Sequence, residues 1–170
     1  GFARMGGPAH NLENVLGVIK DLPILSSGCG RDFNWLPCFN SILPRKTIEG
    51  HSGFQVIDQV LKVKERYNGF LHFQISCNST NEQQRKELFG GADVLTLEEI
   101  IGYINRKEIT NRTITLNFIV MNGIEIDIQK LKFFGLDSKK FTVKLIPLNQ
   151  TLNSTQHNLE TYANYQNYEK

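Results

Sequence analysis

Segments of helical period and segments of strand-like period alternate along this chain, and that alternation limits the fold more than any other feature. Asn11 to Asp21 places Leu12, Val15, Leu16 and Ile19 at the i, i+3, i+4, i+7 spacing of an amphipathic helix, with Asn11 as its cap. After a loop marked by Gly28 and Gly30 comes a short apolar run, FNWLPCFNSIL. Ser52 to Tyr67 repeats the helical period with Phe54, Ile57, Val60, Leu61 and Val63 inward. Lys62, Lys64, Glu65 and Arg66 are expected largely outside, and Asn68-Gly69 ends the helix. FLHFQIS at 70–76 alternates apolar and polar as a strand does. Asn81 to Phe89 reads as a short charged helix. Thr96-Leu97-Glu98-Glu99 has the form of a capping box ahead of Ile100, Ile101 and Ile104. TITLNFIVM at 113–121 is the clearest strand. Asp127 caps a helix that Gly135 ends, and FTVKLIP at 141–147 is the last strand.

Strand, helix, strand, helix at this spacing predicts βα units, hence an α/β fold with parallel strands and outer helices. Five strands are expected, the first represented only by its end at residues 2–5. Residues 1–149 form the expected domain. The final residues, 150–170, are rich in Asn, Gln, Thr and Tyr and nearly empty of aliphatics, so they read as a tail, flexible or draped on the surface.

A chain of 170 residues with 40% apolar and 21% charged residues suits one domain with a hydrophobic core. A net charge of +2 does not argue for nucleic acid. The five lysines Lys130, Lys132, Lys139, Lys140 and Lys144 read as a solvated face rather than a phosphate-binding surface. No run approaches the roughly 18 apolar residues of a membrane span, and no secretory signal is visible. The start on Gly rather than Met suggests processing, a tag or truncation. Cys29, Cys38 and Cys77 are an odd number without a CxxC pair, which does not suit a disulfide framework. The Asn-x-Ser/Thr triplets at Asn78, Asn111, Asn149 and Asn153 read as chance in so Asn-rich a chain, and a reducing cytoplasm is the expected location.

In parallel α/β folds the ligand sits where the strands' carboxyl ends meet the βα loops. Those ends are Gly6-Gly7-Pro8, Asn40-Ser41, Ser76-Cys77-Asn78-Ser79-Thr80, Asn122-Gly123 and Pro147-Leu148-Asn149. All offer small or hydrogen-bonding groups, and none offers a carboxylate or a His. Such a rim suits an amphiphilic ligand such as a nucleoside, although Gly, Asn and Ser are also what turns require. Cys77, with no His near it, reads as a small core residue rather than a nucleophile. His10, His51, His72 and His157 are scattered, and no metal site is expected of them.

The order of these segments carries a resemblance. ARMGGPAHNLENVL resembles the "MGMGEPLxNxxNVL" segment of radical S-adenosylmethionine (SAM) enzymes, in the branch of the ribosomal-RNA adenine methyltransferases. FQISCNSTNEQQRKEL, ITLNFIVMNGIEID and VKLIPLNQT are similar, in the same order, to that branch's "aiSLHApndexRxxl", "vtxeYvLldGvND" and "vnLIPxNp" segments. The resemblance implies a partial (βα) barrel in which SAM chelates a [4Fe–4S] cluster held by a CxxxCxxC loop. It further implies that Gly6 and Gly7 lie along the methionine part of SAM, that Ser41, Ser76 and Asn78 reach its ribose or carboxylate, and that Asn149 meets the adenine. The chain departs from that pattern where Gly7 replaces the acid that receives the SAM amino group and where Asn78 replaces a His. No CxxxCxxC occurs in these residues, and the tail lacks the branch's methyl-carrying Cys. The expected function is therefore a portion of a radical SAM iron–sulfur enzyme of unknown substrate, its cluster-binding segment lying before Gly1. The alternative is a degenerate, non-catalytic module that binds SAM, a nucleotide or a protein partner.

Overall fold

A computed structural model describes residues 7–27, 35–149 and 160. A 3-10 turn, Pro8–Asn11, leads into α1 (Leu12–Ser27). Then follow β1 (Cys38–Ser41), α2 (Gly53–Arg66), β2 (His72–Ser76), α3 (Glu82–Leu88), α4 (Leu97–Asn105), β3 (Ile114–Val120), α5 (Ile128–Phe133) and β4 (Phe141–Pro147). The four strands pair in parallel and in chain order, β1-β2-β3-β4, and the sheet is open rather than closed. The α/β class with parallel strands holds. The first expected strand, at residues 2–5, lies outside the described residues.

Side-chain alternation divides the sheet into two unlike faces. Phe39, Phe73, Ile75, Ile114, Leu116, Phe118 and Phe141 share one buried core with Leu12, Leu16 and Ile19 of α1, Val56, Ile57 and Val60 of α2, Ile100, Ile101 and Ile104 of α4, and Leu131 of α5. The alternate residues Asn40, His72, Gln74, Ser76, Thr115, Asn117, Thr142 and Lys144 are polar and fall on the other face. Right-handed crossovers between sequential strands put their helices on one side, so the polar face is the one the helices leave uncovered.

The helix starts follow the sequence closely. Ser52 with Gln55, and Thr96 with Glu99, form reciprocal capping boxes, while Asn81 and Asp127 accept the first free amides of α3 and α5. The start of α1 differs. The Asn11 side-chain oxygen is taken by the Asn14 amide at 2.7 Å, and the Leu12 N–H is capped instead by Glu49 Oε2, at 3.0 Å, from the β1–α2 loop. That helix also runs beyond the expected end at Asp21, through Pro23. A proline removes the N–H that would bond the carbonyl four residues earlier. Here that carbonyl, of Ile19, receives the Tyr67 hydroxyl from the end of α2, which explains how the helix carries its proline.

Lys64 was expected outside but is buried at 2% exposure, its ammonium 2.5 Å from the Thr110 carbonyl, and burial pulls its pKa below the ordinary lysine value. Arg85 is fully buried and joins the end of β2 to α3 and α4. It donates to the Cys77 and Leu95 carbonyls at 3.2 and 3.1 Å and to Glu82 Oε2 at 2.6 Å. Arg45 binds Glu99 through both guanidinium nitrogens, at 2.9 and 2.8 Å, and so ties the loop after β1 to the cap of α4.

Two outcomes follow from these contacts. Tyr67→Phe strands the Ile19 carbonyl and lowers stability by about 1–2 kcal/mol, read from urea unfolding midpoints. Arg45, and next the Thr96 amide, hold the Glu99 carboxyl at about 2, down from the ordinary 4.5. A depressed carboxyl stabilises the fold above its unfolded pKa and loses that contribution as pH falls towards its folded value. Glu99→Gln is therefore less stable than the wild type at neutral pH, by no more than about 1 kcal/mol for so exposed a pair. The difference closes between pH 4.5 and pH 2.

Candidate functional site

At the carboxyl ends of β1 and β2 a cavity of about 170 Å³ is lined by Gly7, His10, Asn40, Ser41 and Ser76, with Pro8, Ile42 and Pro44 as apolar wall. Three of the residues singled out in sequence, Gly7, Ser41 and Ser76, thus come together from three separate segments. Ser76 Oγ donates to Asn40 Oδ1 at 3.1 Å, so this pair is pre-set on adjacent strands. Ser41 Oγ accepts the Leu43 amide at 2.9 Å within its turn, which leaves the hydroxyl proton to donate elsewhere.

Of the other three, Asn78 and Asn149 do not join them. Gly6 lies outside the described residues. Asn78 follows the buried Cys77 in a left-handed conformation (φ 62°) with its amide 3.3 Å from the Asn117 carbonyl, and it is not among the lining residues. Asn149 is exposed just beyond β4, away from the cavity lining. Ser79 and Thr80, next to Asn78, have a structural task. Their hydroxyls reach the Glu125 carbonyl at 2.9 and 3.3 Å and lock the β2–α3 loop to the β3–α5 loop.

His10, which the sequence reading did not single out for this site, lines the cavity from the 3-10 turn. Its Nδ1 accepts the Ile48 amide at 3.1 Å, which places the proton of the neutral ring on Nε2. The signal was present in the sequence, since His10 lies one 3-10 turn after Gly7 and a short turn returns residue i+3 beside residue i. Gly7 has φ 81°, and a Cβ there would stand 3.2 Å from His10 Cδ2. The position where the resembling family places an acid is thus held in a backbone conformation that suits glycine, with an imidazole against it.

Below the cavity, the polar face of the sheet carries a directed chain of hydrogen bonds. Asn117 Nδ2 donates to Gln74 Oε1 at 2.7 Å. Gln74 Nε2 donates to His72 Nδ1 at 3.0 Å and reaches Cys38 Sγ at 3.3 Å, and His72 Nε2 meets Thr115 Oγ1 at 3.0 Å. Asn117 Oδ1 is buried without a hydrogen-bond partner among the described residues. Partial burial, followed by the positive charges of Arg112 and Lys144, lowers the His72 pKa and keeps the ring neutral at ordinary pH.

Cys77 behaves as a core residue, as expected. It is fully buried and its thiol is pushed up to about 12 by desolvation. Cys38 is half-buried, and desolvation raises its thiol too. Among the described residues no three of His, Cys, Asp and Glu gather as metal ligands. No described helix is long and apolar enough to cross a membrane. In the expected tail, Glu160 accepts two hydrogen bonds from Asn122 just after β3, the backbone amide at its carbonyl (3.0 Å) and the side-chain amide at Oε2 (3.4 Å). No protein-family model, curated protein or solved structure matches the chain.

The thiol environment gives a direct check. In the native protein a thiol reagent leaves Cys77 unmodified until the domain opens, so its labelling rate follows the global unfolding rate and rises with urea. Rapid labelling of Cys77 in buffer alone would contradict the burial described.

Proposed function

We propose that this chain is a segment of a radical SAM-type (βα) barrel whose strand-end cavity holds the neutral, hydrogen-bonding part of SAM or of a related nucleoside. The observation that carries this reading is the convergence of Gly7, Ser41 and Ser76, from three separate stretches of chain, on one cavity where such a fold takes its ligand. An open parallel sheet in chain order, with helices on one side and a polar face on the other, suits a barrel entered partway round. In that reading the Ser76–Asn40 pair meets ribose hydroxyls, Gly7 lets the ligand approach the backbone, and Asn149 stays with the adenine side only if the β4 end turns inward on binding.

The described thiols do not fit an iron–sulfur cluster. Cys77 belongs to the core, and Cys38 stands alone on the sheet face with its thiol raised rather than lowered. A cluster ligand needs an accessible thiolate. No electron-transfer step is assigned to these residues, and an enzyme of this type would draw its cluster ligands from elsewhere.

A second reading, a non-catalytic binding module, is favoured by Gly7. Among the described residues the lining includes no carboxylate to receive the SAM ammonium, and a charge-assisted hydrogen bond of this kind is worth about 1.5–3 kcal/mol. Both readings keep the nucleoside in the same place.

Calorimetric titration of the chain with SAM, S-adenosylhomocysteine and adenosine tests this. All three bind weakly and within about tenfold of one another, because the cavity rewards the part they share. Ser76→Val weakens all three by about tenfold. Absence of saturable binding by any adenosyl ligand below about 10 mM overturns the site. SAM binding about a hundredfold tighter than adenosine would reject the module in favour of an ammonium-binding enzyme site.

A further inference from the structure

The opposite end of the polar face holds a second, larger depression. At the amino ends of β2, β3 and β4 a cavity of about 530 Å³ is lined by His72, Arg112, Thr113, Thr115, Thr142 and Lys144, among others. Among the described residues neither Arg112 nor Lys144 has a carboxylate within ion-pair distance, whereas Arg45, Arg85, Lys107 and Lys130 each have one.

The hydroxyls of this cavity are oriented as donors by the network behind them. Gln74 gives its amide proton to His72 Nδ1, so the neutral ring carries its proton on Nε2 and donates to Thr115 Oγ1 at 3.0 Å. Thr115 is 5% exposed, and its oxygen is occupied by that bond, so its own proton is left to donate. The hydroxyls of Thr113, just before β3, and Thr142 of β4 stand 2.6 Å apart. One donates to the other, and one proton of the pair remains to point outward. Among the described residues, two cations without a carboxylate partner and spare hydroxyl protons line the space, and no carboxylate does.

We propose that this amino-end cavity is a binding site for a small phosphorylated ligand, with Arg112 and Lys144 holding the phosphate oxygens and Thr115 and the Thr113–Thr142 pair donating to them. A ligand rich in acceptors and negatively charged satisfies every group presented, and Arg matches phosphate through two parallel N–H bonds. The lowered pKa of His72, to which Arg112 and Lys144 contribute after desolvation, is the imprint of the same positive field. A single polyanionic strand fits less well. The lysines grouped in sequence with Lys144 do not form a track with it, since Lys130 pairs with Glu125 at 3.6 Å and Lys140 is used by the Asn105 and Lys107 carbonyls at 2.5 and 2.8 Å. The site is separate from the strand-end cavity and does not depend on its assignment.

The test is a ¹H–¹⁵N NMR titration of the full chain with inorganic phosphate, adenosine monophosphate and a single-stranded RNA 12-mer at constant ionic strength. Phosphate and the monophosphate give saturable shifts at Thr113, Thr115 and Thr142, and raise the His72 pKa. The double variant Arg112→Gln, Lys144→Gln weakens the effect by about a hundredfold, tenfold for each cation. Circular dichroism of that variant keeps the wild-type spectrum, since both side chains are exposed. Shifts that survive the double variant, or none below about 10 mM phosphate, overturn the proposal. RNA binding about a hundredfold tighter than the monophosphate, with a steep salt dependence, overturns it in favour of a nucleic-acid surface.

Discussion

The architecture depends on a constraint that parallel pairing imposes. Strands joined by right-handed crossovers and placed side by side in chain order must carry their helices on one face. Most apolar strand positions then point to that face, Ile119 and Ile146 excepted, and their partners in the alternation must live on the other. Parallel sheets are ordinarily covered on both sides. Among the described residues no helix lies on the second face, and its side chains bond one another instead, through Asn117, Gln74, His72 and Thr115, with Asn117 Oδ1 left over. Such a network fixes side-chain orientation and tautomer together, because each donor decides what the next group can offer. A face that would otherwise be an apolar liability becomes a patterned surface of donors and acceptors.

The loops are fastened by a few side chains that reach far along the chain. Arg45 draws the β1–α2 loop to the α4 cap, Arg85 gathers three elements beneath the end of β2, and Tyr67 attends to the carbonyl that Pro23 frees in α1. Arg85 differs in kind from the other two. As a buried cation it is held by Glu82 and two carbonyls while one nitrogen, Nη2, remains without a partner, so removing Glu82 would leave a charge in the core. Its bonds fix where α3 and the start of α4 meet the end of β2.

Much of this organisation was legible in the sequence because it is local. Ser52, Asn81, Thr96 and Asp127 cap helices through contacts two or three residues away, and β3 and β4 were visible as runs of β-branched and apolar residues. What escaped was long-range. Glu49 substitutes for Asn11 at the start of α1 across 37 residues, and Lys64 is buried because Thr110, 46 residues away, offers it a carbonyl. The strand-end site was legible in part. Gly7, Ser41 and Ser76 could be placed by the rule for carboxyl ends. Asn78 was drawn aside by a left-handed turn, and His10 was overlooked because only the turn's geometry returns it beside Gly7. The polar face itself was written in the alternation of FLHFQIS, whereas the network on it joins side chains of three strands and is not local.

The geometry at Gly7 also limits which charges this turn can carry. A carboxylate cannot be placed there in one step, since a change to Glu meets both a strained φ of 81° and the His10 ring 3.2 Å from its first carbon. Relaxing the turn alone leaves the ring in the way, and moving the ring alone leaves the backbone strained. Packing thus holds this corner of the cavity without charge, and a ligand seated there finds no counter-ion from position 7.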